Sequence, residues 1–293
     1  MLSILIPCYN YDCRKLVSSL QKQGESLKTD YEIIVGDDAS DNAEIVSLNE
    51  EINALPHCIY SVCEKNLGRA ENRNRMAEMS QGDWLLFIDC DAQVCSDKFL
   101  QSYMEAAGRA RVICGGLCHP PVNPCPDATL RYKYEHKADA RRSAAERSKN
   151  PYMQLSAFNL MMRRDVFMSI KFDKDCREYG YEDALMGVEL HKRNIEILHI
   201  DNPIVHIGLE SNAIFLKKSE TALHTLYGLK GKMGNHSHVE NMATKLKIYH
   251  LDKIYTWFYS IFRKNMRKNL LGKNPSLFIF SLYKLGFFLN IKG

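Results

Sequence analysis

The 293-residue chain is short of the residues that punctuate or staple a fold. It has only 16 glycines and nine prolines, which excludes collagen-like and low-complexity architectures. With 45% hydrophobic residues it is too apolar to stay disordered. None of the ten cysteines forms a Cys-x-x-Cys pair, so neither a common zinc signature nor a redox motif is present. Cys8, Cys90 and Cys114 lie inside apolar runs, where a free thiol behaves as a small hydrophobe. The opening MLSILIPCYNYD has no basic flank and no long apolar stretch, so it reads as a first strand rather than a signal peptide. The expectation is a reduced, cytoplasmic protein. The phosphate-gripping patterns G-x-x-x-x-G-K-[ST] and G-x-G-x-x-G are also missing, which argues against a P-loop ATPase or a standard nicotinamide enzyme. The most apolar stretch, Leu277–Ile291, is about 15 residues and is interrupted by Lys284. That is shorter than the roughly 20 residues a spanning helix needs.

What is present is organised. Short apolar runs at Leu2–Ile6, Tyr31–Val35, Ile59–Val62 and Trp84–Ile88 read as strands buried on both faces. Amphipathic, helix-length stretches near 12–24, 41–54, 68–80 and 97–108 separate and follow them. This alternation predicts βαβ units in a doubly wound, mostly parallel sheet. Beyond a strand at Val112–Gly116 comes a Pro-rich loop and a polar helix over 128–147. SAFNLMMRRDVF then reads as a strand running into a helix, YEDALMGVELHKR as a helix, and ILHIDNPIVHIG as one or two strands. Residues 1–213 sum to −7 and residues 214–293 to +11, so an acidic α/β domain (1–110 and 111–213) carries a basic, helical, aromatic extension (214–293).

In open parallel sheets ligands bind beyond the carboxyl ends of the strands. Three of the four runs end in amide or carboxylate groups: Asn10; Asp37, Asp38 and Asp41; and Asp89-Cys90-Asp91. Ser40 and Asp41 also read as helix caps. Strand alternation turns Asp89 and Asp91 the same way, and two converging carboxylates call for a divalent cation, Mn²⁺ or Mg²⁺. A second pair, Asp173 and Asp175, flanks a lysine and reads as a solvated turn. Glu182-Asp183 opens a helix, where its dipole favours acids. A carboxylate there also suits the base that takes a proton from an attacking hydroxyl, which is the role expected for Asp183.

SILIPCYN, IIVGDDASDN, NLGRAENRNRMAEMSQGDWLLFIDCDA and FDKDCREYGYEDALMGVEL, in that order, resemble the inverting family 2 glycosyltransferases of GT-A fold over roughly residues 1–210. The resemblance implies a Rossmann-like nucleotide half and an acceptor half. It also implies a nucleotide pocket made by Pro7, Tyr9 and Asn10, with Asp38 on the uracil base and Asn66, Gly68, Arg73 and Asn74 lining the nucleotide. In the same pattern Asp91 is the direct metal ligand, Asp89 faces ribose or metal, His206 is a third ligand, and Glu182 touches the acceptor. Asn159 and Arg163-Arg164 fall near the acceptor side, and His199 reads as a core histidine. Ala39 stands where the pattern often has Gly, which is tolerable if its φ is negative. Asn72 departs from a common Ala.

The implied activity is metal-dependent transfer of a sugar from a nucleotide-diphosphate sugar, a UDP-sugar, to a saccharide or lipid-linked saccharide hydroxyl in surface polysaccharide assembly. A sugar-phosphate nucleotidyltransferase is an alternative, though PCYNYD is not its phosphate loop. A catalytically silent nucleotide-sugar or membrane-binding partner is another. For the extension, lysines and arginines interleaved with Trp257, Phe258, Tyr259, Phe262, Phe287 and Phe288 suit peripheral contact with an anionic membrane or packing as a helical cap. Nucleic acid is not expected as a partner, because the body is acidic.

Overall fold

The computed structural model describes residues 1–139, 141–176, 178–229, 231–233 and 237–291. Among these the elements run β1 (Leu2–Cys8), α1 (Arg14–Gly24), β2 (Tyr31–Asp37), α2 (Ala43–Glu50), β3 (Cys58–Val62), α3 (Arg69–Met79), β4 (Trp84–Ile88) and β5 (Ala92–Gln93). There follow α4 (Phe99–Ala106), β6 (Val112–Cys114), β7 (Leu117–Cys118), α5 (Thr129–Asp139), α6 (Ala144–Arg147), β8 (Asn159–Arg163), α7 (Arg164–Ile170), α8 (Glu182–Lys192), β9 (Ile197–His199) and β10 (Ile204–His206). The chain closes with α9 (Asn212–Gly228), α10 (His238–Ile248), α11 (Asp252–Leu270) and α12 (Leu277–Leu289).

Two compact units emerge. The first comprises 1–119, 141–177 and 182–208; the second comprises 120–140, 178–181 and 209–293. The second therefore begins after Gly208 rather than after residue 213, and it recruits two earlier segments.

In the first unit a sheet runs β3-β2-β1-β4-β8-β6-β9. Its strands are parallel except β8, which lies antiparallel to both β4 and β6. The apolar runs of β1, β2 and β4 are buried as expected, Leu2, Ile4, Ile33 and Leu86 being fully enclosed. β3 is the exception: as an edge strand it leaves Ile59 and Val62 exposed. The ladder of β1 with β4 stops at Leu5–Phe87, whereas that with β2 continues to Cys8–Asp37. A gap thus opens between β1 and β4, where strand order reverses, and this is where doubly wound folds bind ligands. A smaller sheet, β5-β10-β7, stands apart. ILHIDNPIVHIG, expected as one or two strands, forms two, which join different sheets.

The expected 128–147 helix is two helices. Ser143 is extended and its side chain accepts from the Glu146 N–H, starting α6 afresh; Ala140 lies outside the described residues. Neither Ser40 nor Asp41 caps α2. Asn42 does, accepting from the N–H groups of Glu44 and Ile45. All ten cysteines are free thiols.

The second unit is helical, with Leu216, Tyr259, Leu270, Phe280 and Tyr283 in its core. Gly286 of α12 sits where a Cβ would fall 2.1 Å from the Tyr259 ring, so α11 and α12 pack closely. Phe288 is buried and Phe287 packs against this core, so these two are not available to a membrane. Among the described residues no helix is long and apolar enough to cross a membrane. The expected helical extension also includes Lys230, residues 234–236 and residues 292–293, which lie outside the described residues.

Candidate active site

At the end of β1, Asn10 takes a left-handed backbone (φ 51°) and laces β1 to the loop after β2. Its N–H donates to the Ser40 hydroxyl (2.7 Å), its side-chain amide donates to Asp41 (2.6 Å), and its side-chain carbonyl accepts from the Asn42 N–H. Pro7 lies inside β1 opposite Gly36, and Tyr9 is 47% exposed at the mouth of the gap. Ala39 adopts φ 59°, so the condition of negative φ fails and the left-handed turn is built without glycine.

Asp38 is buried, and its two carboxylate oxygens accept from the backbone N–H groups of Leu67 (2.7 Å) and Gly68 (2.9 Å). The Asn66 side chain donates to the Asp38 carbonyl at 2.9 Å. This aspartate therefore fixes the 66–68 loop ahead of α3, at whose mouth Gly68 needs φ 84°. Asn72, which carried no expectation of weight, donates to the Gly36 carbonyl (2.7 Å) and docks α3 on β2. Asn74 is buried and exchanges two hydrogen bonds with the Phe172 backbone.

β4 ends at Ile88, and Asp89–Ala92 is a turn closed by the Ala92 N–H on the Asp89 carbonyl. Strand alternation therefore does not govern Asp89 and Asp91, and the two carboxylates find different partners. Arg73, 2% exposed, donates to Asp89 (2.6 Å) and reaches Glu182 at 3.5 Å, with Phe172 beneath its guanidinium. One buried cation thus balances two carboxylates from separate elements, the arrangement that low dielectric demands. The Arg73 Nε is buried without a partner.

Asp183, beside Glu182 in the first turn of α8, accepts from the Ala157 N–H (3.0 Å) and the Ser156 hydroxyl (3.2 Å) through Oδ2; its Oδ1 is buried without a partner. Burial, then the charges of Glu182 and Asp89, push its pKa up to about 7 against the opposing pull of Arg73. A carboxylate poised there can accept a proton at neutral pH.

Asp91 meets His206, Oδ2 to Nε2 at 3.1 Å. The cause is the small sheet: β10 pairs with β5 so that His206 lies opposite Ala92, and the Ile207 N–H donates to the Asp91 carbonyl. Gly208 completes the corner, because a Cβ there would fall 2.2 Å from the Asp91 carboxylate. A carboxylate and an imidazole converging in this way fit Mn²⁺ or Mg²⁺ with oxygen and nitrogen ligands. The rings of Phe158 and His119 meet His206 edge-on. His119 was not anticipated; it sits in a Pro-rich loop, and only the fold brings it here.

The remaining residues singled out in the sequence lie away from this array or serve the core. Asn159, expected near the acceptor side, is 1% exposed and binds Tyr103, Gly116 and Asn202 in the core. Because β8 is antiparallel, Arg163 lies opposite Trp84, at the amino end of β4 and the far edge from the gap. There it stacks on Trp84, while Arg164 binds Ser80. His199 is a satisfied core residue, held by Arg147 and Pro151, and burial pulls its pKa down to about 4. Asp173 accepts from the Asp175 N–H in a turn.

Comparison with known proteins places this chain in the glycosyltransferase class. Residues 3–171 match the family described as Glycosyl transferase family 2, to which the chain belongs. It is 23% identical over 237 residues to the amylovoran biosynthesis glycosyltransferase AmsB of Erwinia amylovora, covering 78% of this chain and 76% of that one. It is 24% identical to an uncharacterized glycosyltransferase, YfnE, of Bacillus subtilis, covering 75% of this chain and 61% of YfnE. Among solved structures, S. aureus TarS in complex with UDP-GlcNAc matches with TM-score 0.54 and 16% identity, over 97% of this chain and 90% of that one. The mannosyltransferase PcManGT of Pyrobaculum calidifontis, in complex with GDP-Man and Mn²⁺, matches with TM-score 0.54 and 13% identity, over 78% and 63%. The fold is accordingly of the GT-A type.

Proposed function

We propose that the chain is a metal-dependent, inverting transferase that moves a sugar from a UDP-sugar to a saccharide or lipid-linked saccharide hydroxyl in surface polysaccharide biosynthesis. The observation that carries this reading is the linked acidic array of Asp89, Arg73, Glu182 and Asp183 at the β1/β4 gap. The UDP-GlcNAc complex of TarS and the amylovoran role of AmsB support the donor class and the setting.

In this reading Tyr9 offers its exposed ring to the nucleotide, with Pro7 and Asn10 shaping the wall. Asp38 is proposed to face the base while holding the 66–68 loop, and Asn66, Gly68 and Arg73 line the nucleotide side. Asp91 and His206, with Asp89 beside them, are proposed to hold Mn²⁺ or Mg²⁺. When bound, the cation supplies Lewis acidity that stabilises the departing diphosphate. Glu182 contacts the acceptor, and the Asp183 carboxylate, with its raised pKa, accepts the acceptor hydroxyl proton as the hydroxyl oxygen attacks the anomeric carbon and the nucleoside diphosphate leaves. Arg73 offsets the repulsion between Asp89 and Glu182, and its pull on Asp183 limits the rise in that pKa, so the carboxylate can be ionised near neutral pH.

The test is release of UDP from a panel of UDP-sugars in the presence of Mn²⁺ and saccharide acceptors. One donor is expected to be consumed, and Asp183→Asn is expected to reduce turnover by about 10²–10⁴-fold. Unchanged turnover in that variant would remove Asp183 from the mechanism.

A further inference from the structure

We propose that the outer face of α11, in the second unit, is a docking surface for an anionic lipid bilayer. α11 buries Tyr259, Met266 and Leu270 on one side. On the opposite side, at the i, i+3, i+7 spacing of a single helical stripe, Ile254, Trp257 and Ile261 are 63%, 67% and 52% exposed. Large apolar groups aligned on one stripe and left in water require a reason. The stripe continues toward the carboxyl end of the helix with exposed Lys264 and Lys268, which fall on the same face.

Charge selects the occupant. Residues 237–271 carry seven lysines and arginines against two acids. A second copy docking by two-fold symmetry would set this cationic stripe against itself. A bilayer containing anionic headgroups accepts both parts: the isoleucines enter the acyl boundary, the indole sits at headgroup depth, and the lysines meet lipid phosphates. The surface lies flat, since no described helix is long and apolar enough to span. Of the six aromatic residues grouped in the sequence, only Trp257 and Phe262 are exposed, so the surface is narrower than composition implied.

The experiment is co-sedimentation of the full chain with vesicles of phosphatidylcholine alone, or of phosphatidylcholine with 30% phosphatidylglycerol. Circular dichroism melts and size-exclusion chromatography of every variant serve as fold controls. Binding to the anionic vesicles only, weakened by 0.5 M NaCl, is expected. Ile254→Ser/Trp257→Ser/Ile261→Ser is expected to weaken it at least tenfold. Lys264→Gln/Lys268→Gln is expected to weaken it by about fivefold per lysine. Absence of vesicle binding, equal binding to both vesicle types, or unchanged binding by the folded triple variant would each overturn the proposal. Concentration-dependent dimerisation abolished by the triple variant, without vesicle binding, would reassign the face to a second copy.

Discussion

At the residue scale, Asp183 carries the most specific consequences. Its raised pKa means the folded chain holds a proton that the unfolded chain releases between about 4 and 7. Stability is therefore spent as pH rises through that window, and Asp183→Asn removes the cost. The variant is expected to melt higher than wild type at pH 8, with the gain fading toward pH 4, while turnover collapses. Acceptor-dependent kcat/KM of the wild type is expected to rise with pH to a midpoint at or below about 7, since a bound cation can only lower the Asp183 pKa. Gly208 offers a steric test: Gly208→Ala displaces the Asp91 carboxylate. A loss of Mn²⁺ affinity of about 10–100-fold, measured by titration calorimetry on a normally folded variant, is expected. Ala39→Gly is expected to raise stability by up to about 1 kcal/mol in urea unfolding, because φ 59° strains any residue with a Cβ.

At the element scale, Arg73 couples α3, the turn after β4 and the first turn of α8. Arg73→Met keeps much of its volume but leaves two carboxylates facing a low-dielectric interior. A loss of about 3–5 kcal/mol in chemical denaturation is expected. A smaller loss than from an exposed ion pair, about 1 kcal/mol or less, would mean that water already screens the array. β1 to β4 were legible because their apolar runs are long enough to show, and acids at strand ends mark the binding edge of such sheets. β5, β7 and β10 were not separable, since strands of two or three residues carry no period. The reversal of β8 was equally invisible, for residue pattern does not encode strand direction, and it moves Arg163 and Arg164 to the far edge. Partners across space were hidden too: Arg73 read as a nucleotide contact, and nothing in its neighbours disclosed its burial between Asp89 and Glu182.

At the scale of the whole molecule, the charge asymmetry was plain in the sequence but its use was not. The aromatic residues of the extension divide between a packed core, with Tyr259, Phe280 and Tyr283, and an exposed stripe centred on Trp257. Spacing alone cannot separate these faces until the partner helices are placed. Nor could the sequence disclose that 120–140 and 178–181 join the second unit, because both segments read as ordinary loops and helix of the first.

The proposed chemistry as a whole rests on a nucleoside diphosphate held with a cation near Asp91. The most direct measurement is the melting temperature of the purified chain with UDP, with and without Mn²⁺, for the wild type and Asp91→Ala. At 100 times its dissociation constant UDP is expected to add about 2.7 kcal/mol, seen as a rise in melting temperature that needs Mn²⁺ and disappears in the variant. A rise with GDP and none with UDP would contradict the donor assignment, and no rise with any nucleoside diphosphate would contradict the proposed activity itself.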